Sequence, residues 1–169
     1  MTYFGPLPVE ANDNRDWLLL WLRNQTFPIQ KTSGPWLDWT PSFTNITIGN
    51  GAYTARYSQI GGWVFFDFTF TLGSESAIGS IPKISQPVTQ HARYDDPDHM
   101  FGDCRCRDAT GTVWYGGTYL VDGTNLAGEL HKVTAATSDI LTSAAISATV
   151  PFTWTASDEL FMAGMYEGA

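Results

Sequence analysis

The sequence predicts an all-β protein: an antiparallel, jelly-roll-like β-sandwich that follows a short N-terminal arm and an α-helix. Aromatic residues make up 14% of the chain and charged residues only 15%, a composition that favours strands over helices. Several segments alternate between apolar and polar residues, which is the period of a half-buried strand. Glycine-containing turn sequences separate these segments.

The N-terminal segment, residues 1–31, is predicted to attach the protein or to mediate its oligomerisation. The prolines of Gly5–Pro8 favour an extended arm, because proline lacks the backbone donor that regular structure uses. One of residues 12–14 can cap a helix over Arg15–Gln25. A helix of about three turns is marginal alone in water, so it needs a packing partner.

The candidate packing residues of this helix are Trp17, Leu20 and Trp21. The two tryptophans lie one helical turn apart and share a face. The helix either docks on its own β-domain or bundles with copies from neighbouring subunits and buries the tryptophans between chains. The second interpretation predicts an oligomer.

The strands follow a linker. Residues Thr26 to Pro35 are rich in helix-breaking types, so the β-sandwich domain is predicted over residues 32–169. Within it, Ala52–Ile60 and Trp63–Leu72 are predicted to pair as a hairpin. They are joined by Gly61-Gly62, a dipeptide that can adopt the positive φ values of a tight turn.

The second strand of this hairpin predicts the division between core and surface. One set of alternate residues is wholly apolar and is expected to line the core: Val64, Phe66, Phe68, Phe70 and Leu72. The other set begins with Trp63 and Phe65 and continues with polar residues. These two aromatic side chains lie either under a loop or at a subunit interface, since exposed aromatic patches commonly mark contacts.

The remaining strands bring the predicted total to eight or nine, enough for a sandwich. They are expected at Asp38–Ile48, Ile84–Val88, Phe101–Asp108, Val113–Val121, Leu126–Thr134, Ala144–Trp154 and Glu159–Tyr166. The three between Phe101 and Thr134 are predicted to form a meander, because turn residues connect them. Pro151 indicates that the strand containing it lies at a sheet edge.

Charge and apolar runs exclude two classes of partner. The net charge of −8 and the lack of a Lys/Arg cluster argue against nucleic acid. The longest apolar run, Trp17–Leu22, is too short to cross a bilayer, so we expect a soluble chain without membrane insertion. Cys104 and Cys106 alternate within a strand and are predicted to be buried, unpaired thiols on one face.

No sequence pattern for catalysis or nucleotide binding is present. His91, His99 and His131 are isolated from one another and are interpreted as surface or capping residues. The acidic run Asp95–His99 lacks the glycine and the glutamate of a calcium loop and is interpreted as a solvated loop. Asp67 is interpreted as an ordinary solvent-facing acid. We therefore expect no enzyme activity, catalytic residue, metal ion or cofactor.

Exposed aromatic side chains can also stack against sugar rings. The candidates are Trp36, Trp63, Trp114 and Tyr115, and each of them also suits a core or interface position. Together with Phe65, the three tryptophans are the predicted surface or interface aromatics.

Six segments within residues 36–169 share one pattern of strand and turn residues: Trp39–Phe43, Ile48–Gly61, Val64–Ser74, Pro151–Trp154, Asp158–Leu160 and Tyr166-Glu167. Together they resemble a β-domain of virion proteins of tailed bacteriophages, in particular those of actinobacterial phages and prophages. The resemblance implies a minor tail protein, a tail fibre tip or a head decoration protein, commonly a trimer. It brings no catalytic motif.

The resulting hypothesis is a non-enzymatic structural component of a tailed-phage virion, assembled in the host cytoplasm. It is expected to be a minor tail or tail-tip protein, a homotrimer that contacts other virion proteins and the host surface. A capsid decoration protein and a glycan-binding module, which would bind cell-surface glycan, are the alternatives.

Overall fold

The structure is a computed structural model that describes residues 35–92, 100–133 and 141–169. The predictions for the N-terminal arm, for the helix with Trp17, Leu20 and Trp21, and for the run Asp95–His99 lie outside the described residues. Within those ranges the structure contains no helix of the length and apolarity that a membrane span requires.

Ten strands are present in the described ranges. They are β1 (Leu37–Asp38), β2 (Phe43–Thr47), β3 (Ala52–Ile60), β4 (Trp63–Thr71), β5 (Ala77–Ser85), β6 (Met100–Asp108), β7 (Val113–Asp122), β8 (Asn125–Val133), β9 (Leu141–Ala145) and β10 (Glu159–Glu167). Every pairing is antiparallel. The prediction of an all-β, antiparallel fold is confirmed.

The strands form one sheet in the order β1-β3-β4-β10-β6-β7-β8-β5-β2, and β9 pairs with β8. The sheet curls into a half-barrel with the core on its concave side. Phe66 of β4 meets Tyr119 of β7 edge-to-face at 4.9 Å across two intervening strands. Phe43, on the edge strand β2, approaches Tyr53 of β3 at 5.1 Å. The two ends of the sheet therefore share one core.

The predicted hairpin is correct in both strands and in its turn. Gly61 has a φ of 59°, the left-handed conformation that glycine adopts without strain. The five apolar residues predicted for the inner face of β4 are all buried, at 0–4% exposure. Each contributes about 1.5–3 kcal/mol by leaving water. The predicted meander is also confirmed, as β6, β7 and β8, and both cysteines are buried and unpaired on β6.

Three predicted strands differ from the structure. The strand predicted over Asp38–Ile48 is instead two short strands, β1 and β2, which lie at opposite ends of the sheet. The strand predicted over Ala144–Trp154 is wrong: β9 ends at Ala145, and Ser147 and Val150 then bond to each other across a tight turn. Pro151 has no amide hydrogen to extend a ladder beyond this turn. The strand predicted at Ile84–Val88 is instead the end of the nine-residue β5, whose earlier part contains Gly79 and Pro82 and lacks a clear alternation.

Asp158 joins two loops at one end of the sheet. Its carboxylate is fully buried and accepts hydrogen bonds from the backbone N–H of Ala109 at 2.9 Å and of Thr155 at 2.6 Å. The Thr155 hydroxyl donates a third bond at 3.1 Å. The β6–β7 turn is thereby fixed to the segment that leads into β10.

Candidate contact surface

The convex side of the sheet, here called the outer face, consists of the outward side chains of β3, β4, β10, β6 and β7, with Trp36 at one margin. It carries the three exposed tryptophans of the described residues. Trp36 is 52% exposed, Trp63 38% and Trp114 53%. Strand alternation explains the positions of Trp63 and Trp114, whose residue sets on β4 and β7 alternate with sets that face the core. The sequence predicted all three as surface or interface aromatics.

Trp63 belongs to a group of apolar side chains on three strands. It lies between its register partners Ile60 of β3 and Glu167 of β10, and the neighbouring Phe65 lies opposite Met165 of β10. Met165 is 40% exposed, and Phe65 and Ile60 are half-buried. We call these four apolar residues the Trp63 patch. The sequence identified Trp63 and Phe65 but missed Ile60 and Met165, whose membership depends on strand register.

The second feature, here called the Trp114 cluster, combines aromatic and charged side chains from three strands. The Trp114 ring packs against Phe161 of β10 with 5.4 Å between ring centroids. The guanidinium of Arg107 lies 5.7 Å from the centroid of the same indole. Arg107 also donates to Glu159 at 3.0 Å. Two neighbouring side chains therefore hold the indole in place, and about half of its surface remains open to solvent.

Trp36 repeats this arrangement at the other margin of the outer face. The Arg56 guanidinium lies 5.5 Å from the centroid of its ring, and Arg56 donates to Asp67 at 2.7 Å. Each of these two tryptophans thus has an arginine over its ring, and the charge of that arginine is paired with a carboxylate on a neighbouring strand. Asp67 was interpreted from the sequence as an ordinary solvent-facing acid, and in the structure it accepts the hydrogen bond that orients Arg56.

The outer face is electrically balanced. All three arginines of the described ranges lie on it, and each is paired with a carboxylate: Arg56 with Asp67, Arg105 with Asp103 and Arg107 with Glu159. Exposed pairs of this kind contribute only about 0–1 kcal/mol to stability. Their larger effect is to fix the side chains and to remove the positive field that a polyanion would need.

The other candidate residues do not join this surface. Tyr115 faces inward, is half-buried and packs against Phe152 at 5.4 Å, so it cannot serve as an exposed sugar platform. His91 is exposed at the surface, as expected. His99 and the side chain of His131 lie outside what the structure describes. Within the described part, no three His, Cys, Asp or Glu residues are grouped closely enough to hold a metal ion.

Two buried tyrosines support the outer face from the core side. Tyr119 donates its hydroxyl to the backbone oxygen of Met165 at 2.7 Å, and Tyr166 donates to that of Val88 at 2.7 Å. Burial raises the pKa of both hydroxyls well above the ordinary value of 10.0. Both groups therefore remain neutral donors over the physiological range.

Comparison of the chain with protein-family models, curated proteins and solved structures gives no match. The resemblance of residues 36–169 to phage virion proteins therefore stays a prediction.

Proposed function

We propose that the chain is a non-enzymatic structural component of a tailed-phage virion, a minor tail or tail-tip protein that makes its contacts through the outer face. One observation carries the proposal: three exposed tryptophans share one face of a sheet whose opposite face is already filled by the core. Exposed aromatic patches of this kind are typical of contact surfaces. The virion assignment itself comes from the sequence resemblance.

The proposed contacts divide between the two features of the outer face. The Trp63 patch is apolar across three strands and suits a protein contact, for which we propose a second copy of the chain in a homotrimer. The Trp114 cluster mixes an open indole with charged groups and suits a polar ligand. We further propose that the Arg15–Gln25 helix attaches or bundles the subunits and that the curled sheet belongs to the jelly-roll-like sandwich class.

Particle location is the first test of this function. Immunogold electron microscopy of purified particles with an antibody against the chain should label the tail or its tip. Labelling of the head would replace the tail assignment with capsid decoration. Particles that lack the chain would refute the virion assignment altogether.

Mass measurement tests the proposed trimer. Light scattering of the full chain should give the mass of three copies, and the double substitution Trp63→Ser, Phe65→Thr should shift it towards the monomer. Thr54→Ser, on the same face but outside the Trp63 patch, is the matched control and should remain trimeric. A wild-type chain that stays monomeric at high concentration would overturn the oligomer. A trimer lost only on Trp17→Ser, Trp21→Ser would assign the contact to the helix.

A further inference from the structure

We infer that Trp114, Gly116 and the Arg105–Asp103 pair form a binding subsite for one neutral pyranose ring of a surface glycan. The inference rests on the proposed function, since it names the ligand class of the same outer face.

The indole of Trp114 supplies the stacking surface. It is 53% exposed, while Phe161 and Arg107 pack against the rest of it. The apolar C–H face of a sugar ring packs well on an indole, because the π-face carries negative charge and the ring's C–H bonds are weakly positive. An indole that is already held in place loses little entropy on binding.

Gly116 provides the floor beside this surface. It follows Trp114 by two residues on β7 and so faces the same side, about 7 Å along the strand. Gly116 is exposed, and a Cβ added to it would meet no atom within 4 Å. The open space next to the indole is therefore a property of this one residue, and a larger side chain would fill it without a clash.

The Arg105–Asp103 pair supplies hydrogen bonds at the margin of the floor. Arg105 lies directly opposite Gly116 in the β6–β7 register. It is bonded to Asp103 at 2.7 Å, yet the two side chains are 60% and 64% exposed. A guanidinium only donates and a carboxylate only accepts, so together they match the vicinal hydroxyls of a sugar, which do both.

Charge selects a neutral ligand. Each arginine near the subsite is already paired with a carboxylate, and the chain carries a net charge of −8. An anionic sugar would meet no unbalanced positive charge here and would be repelled by the whole chain.

The other two exposed tryptophans lack this combination. Trp63 lies opposite Ile60 and Glu167, and the residue two positions on is Phe65, so no glycine opens a floor beside it. Trp36 has an arginine at its ring, but the residue two positions on is Asp38, an exposed carboxylate opposite Arg56 instead of a glycine. The subsite is therefore specific to the β6–β7 hairpin.

The test uses the full chain on an array of glucose-, galactose-, mannose- and N-acetylglucosamine-terminated glycans, with sialic-acid-terminated glycans beside them. The methyl glycoside of the strongest neutral ligand is then titrated calorimetrically. We expect Trp114→Ala and Gly116→Val each to weaken binding by about tenfold or more. Trp36→Ala, the matched control at an exposed indole outside both the Trp114 cluster and the Trp63 patch, should stay within about twofold. Melting curves show whether each variant is folded.

Four results would overturn the subsite: no neutral glycan bound, only sialylated glycans bound, affinity insensitive to Gly116→Val in a folded protein, or binding lost in Trp36→Ala alone. None of these results bears on the position of the chain in the particle or on its mass. Failure of the subsite is thus distinguishable from failure of the proposed function. The last of these results would move the site to Trp36 at the other margin of the outer face.

Discussion

Replacing Asp158 by alanine should destabilise the protein far more than replacing a typical surface acid. The substitution removes the acceptor of two backbone N–H groups, those of Ala109 and Thr155, and of the Thr155 hydroxyl. Each buried backbone donor left without an acceptor costs about 1–3 kcal/mol. Since both backbone bonds are only partly buried, we expect a total loss of about 3 kcal/mol.

Urea unfolding followed by fluorescence and by circular dichroism measures this loss. With an m-value of about 2 kcal/mol per M, the transition midpoint should fall by about 1.5 M. The conservative variant Asp158→Asn keeps one oxygen and should lose about half as much. Coincidence of the two probes shows that the transition is two-state and that the free energies can be compared.

Asp108 provides the matched control. Its carboxylate also accepts two backbone bonds, from Thr110 and Gly111, each at 2.9 Å, but both are exposed and local to one turn. Asp108→Ala should therefore cost only about 1 kcal/mol or less. If Asp158→Ala lowers the midpoint no further than Asp108→Ala does, the buried carboxylate does not join the two loops as described.

Two further predictions concern the core and the sheet. Gly102→Ala should lower the free energy of unfolding by about 2 kcal/mol or more, because its Cβ would meet the carbonyl of Ala163 and the ring of Tyr119. Gly116→Ala, in open space, should change it by less than about 0.5 kcal/mol in the same urea assay. Because the folded state holds Tyr119 and Tyr166 protonated with raised pKa values, their contribution is complete below about pH 10 and is lost as the pH rises further. Urea unfolding at about pH 8 and about pH 11 should show this decline, and a double Tyr→Phe variant should flatten it.

Local sequence patterns were sufficient to predict a strand where apolar and polar residues alternate and a glycine lies in the adjoining turn. The β3–β4 hairpin and the β6–β7–β8 meander were predicted for that reason, together with the buried set on β4. The strand predicted over Ala144–Trp154 was wrong because apolar residues alternate from Ile146 to Trp154, although the backbone folds back at Ser147. Those side chains pack on the core from a turn, and a pattern of alternation cannot distinguish that geometry from a strand.

The candidate surface was only half predictable. Trp36, Trp63, Phe65 and Trp114 could be selected because large aromatics on a polar strand face are unusual. Their partners could not, since residues 107, 114 and 161 come together only through the pairing of β6 with both β7 and β10. Register across strands that are distant in sequence is set by the whole core, and no local pattern encodes it.

The separation of the two sheet faces explains how such a surface can exist without cost to the fold. Side chains alternate with a period of two, so the inner positions of β4 fill the core while Trp63 and Phe65 add nothing to it. A one-residue slip would exchange the two sets and expose the buried phenylalanines, which fixes the register strongly. The outer aromatics are therefore held in place by a core to which their own side chains do not contribute.

Trp114 is positioned in the same way, because the turn of its hairpin is fixed by the hydrogen bond from the Ala109 N–H to Asp158. Large exposed rings on so rigid a scaffold are most simply explained by a partner that they contact.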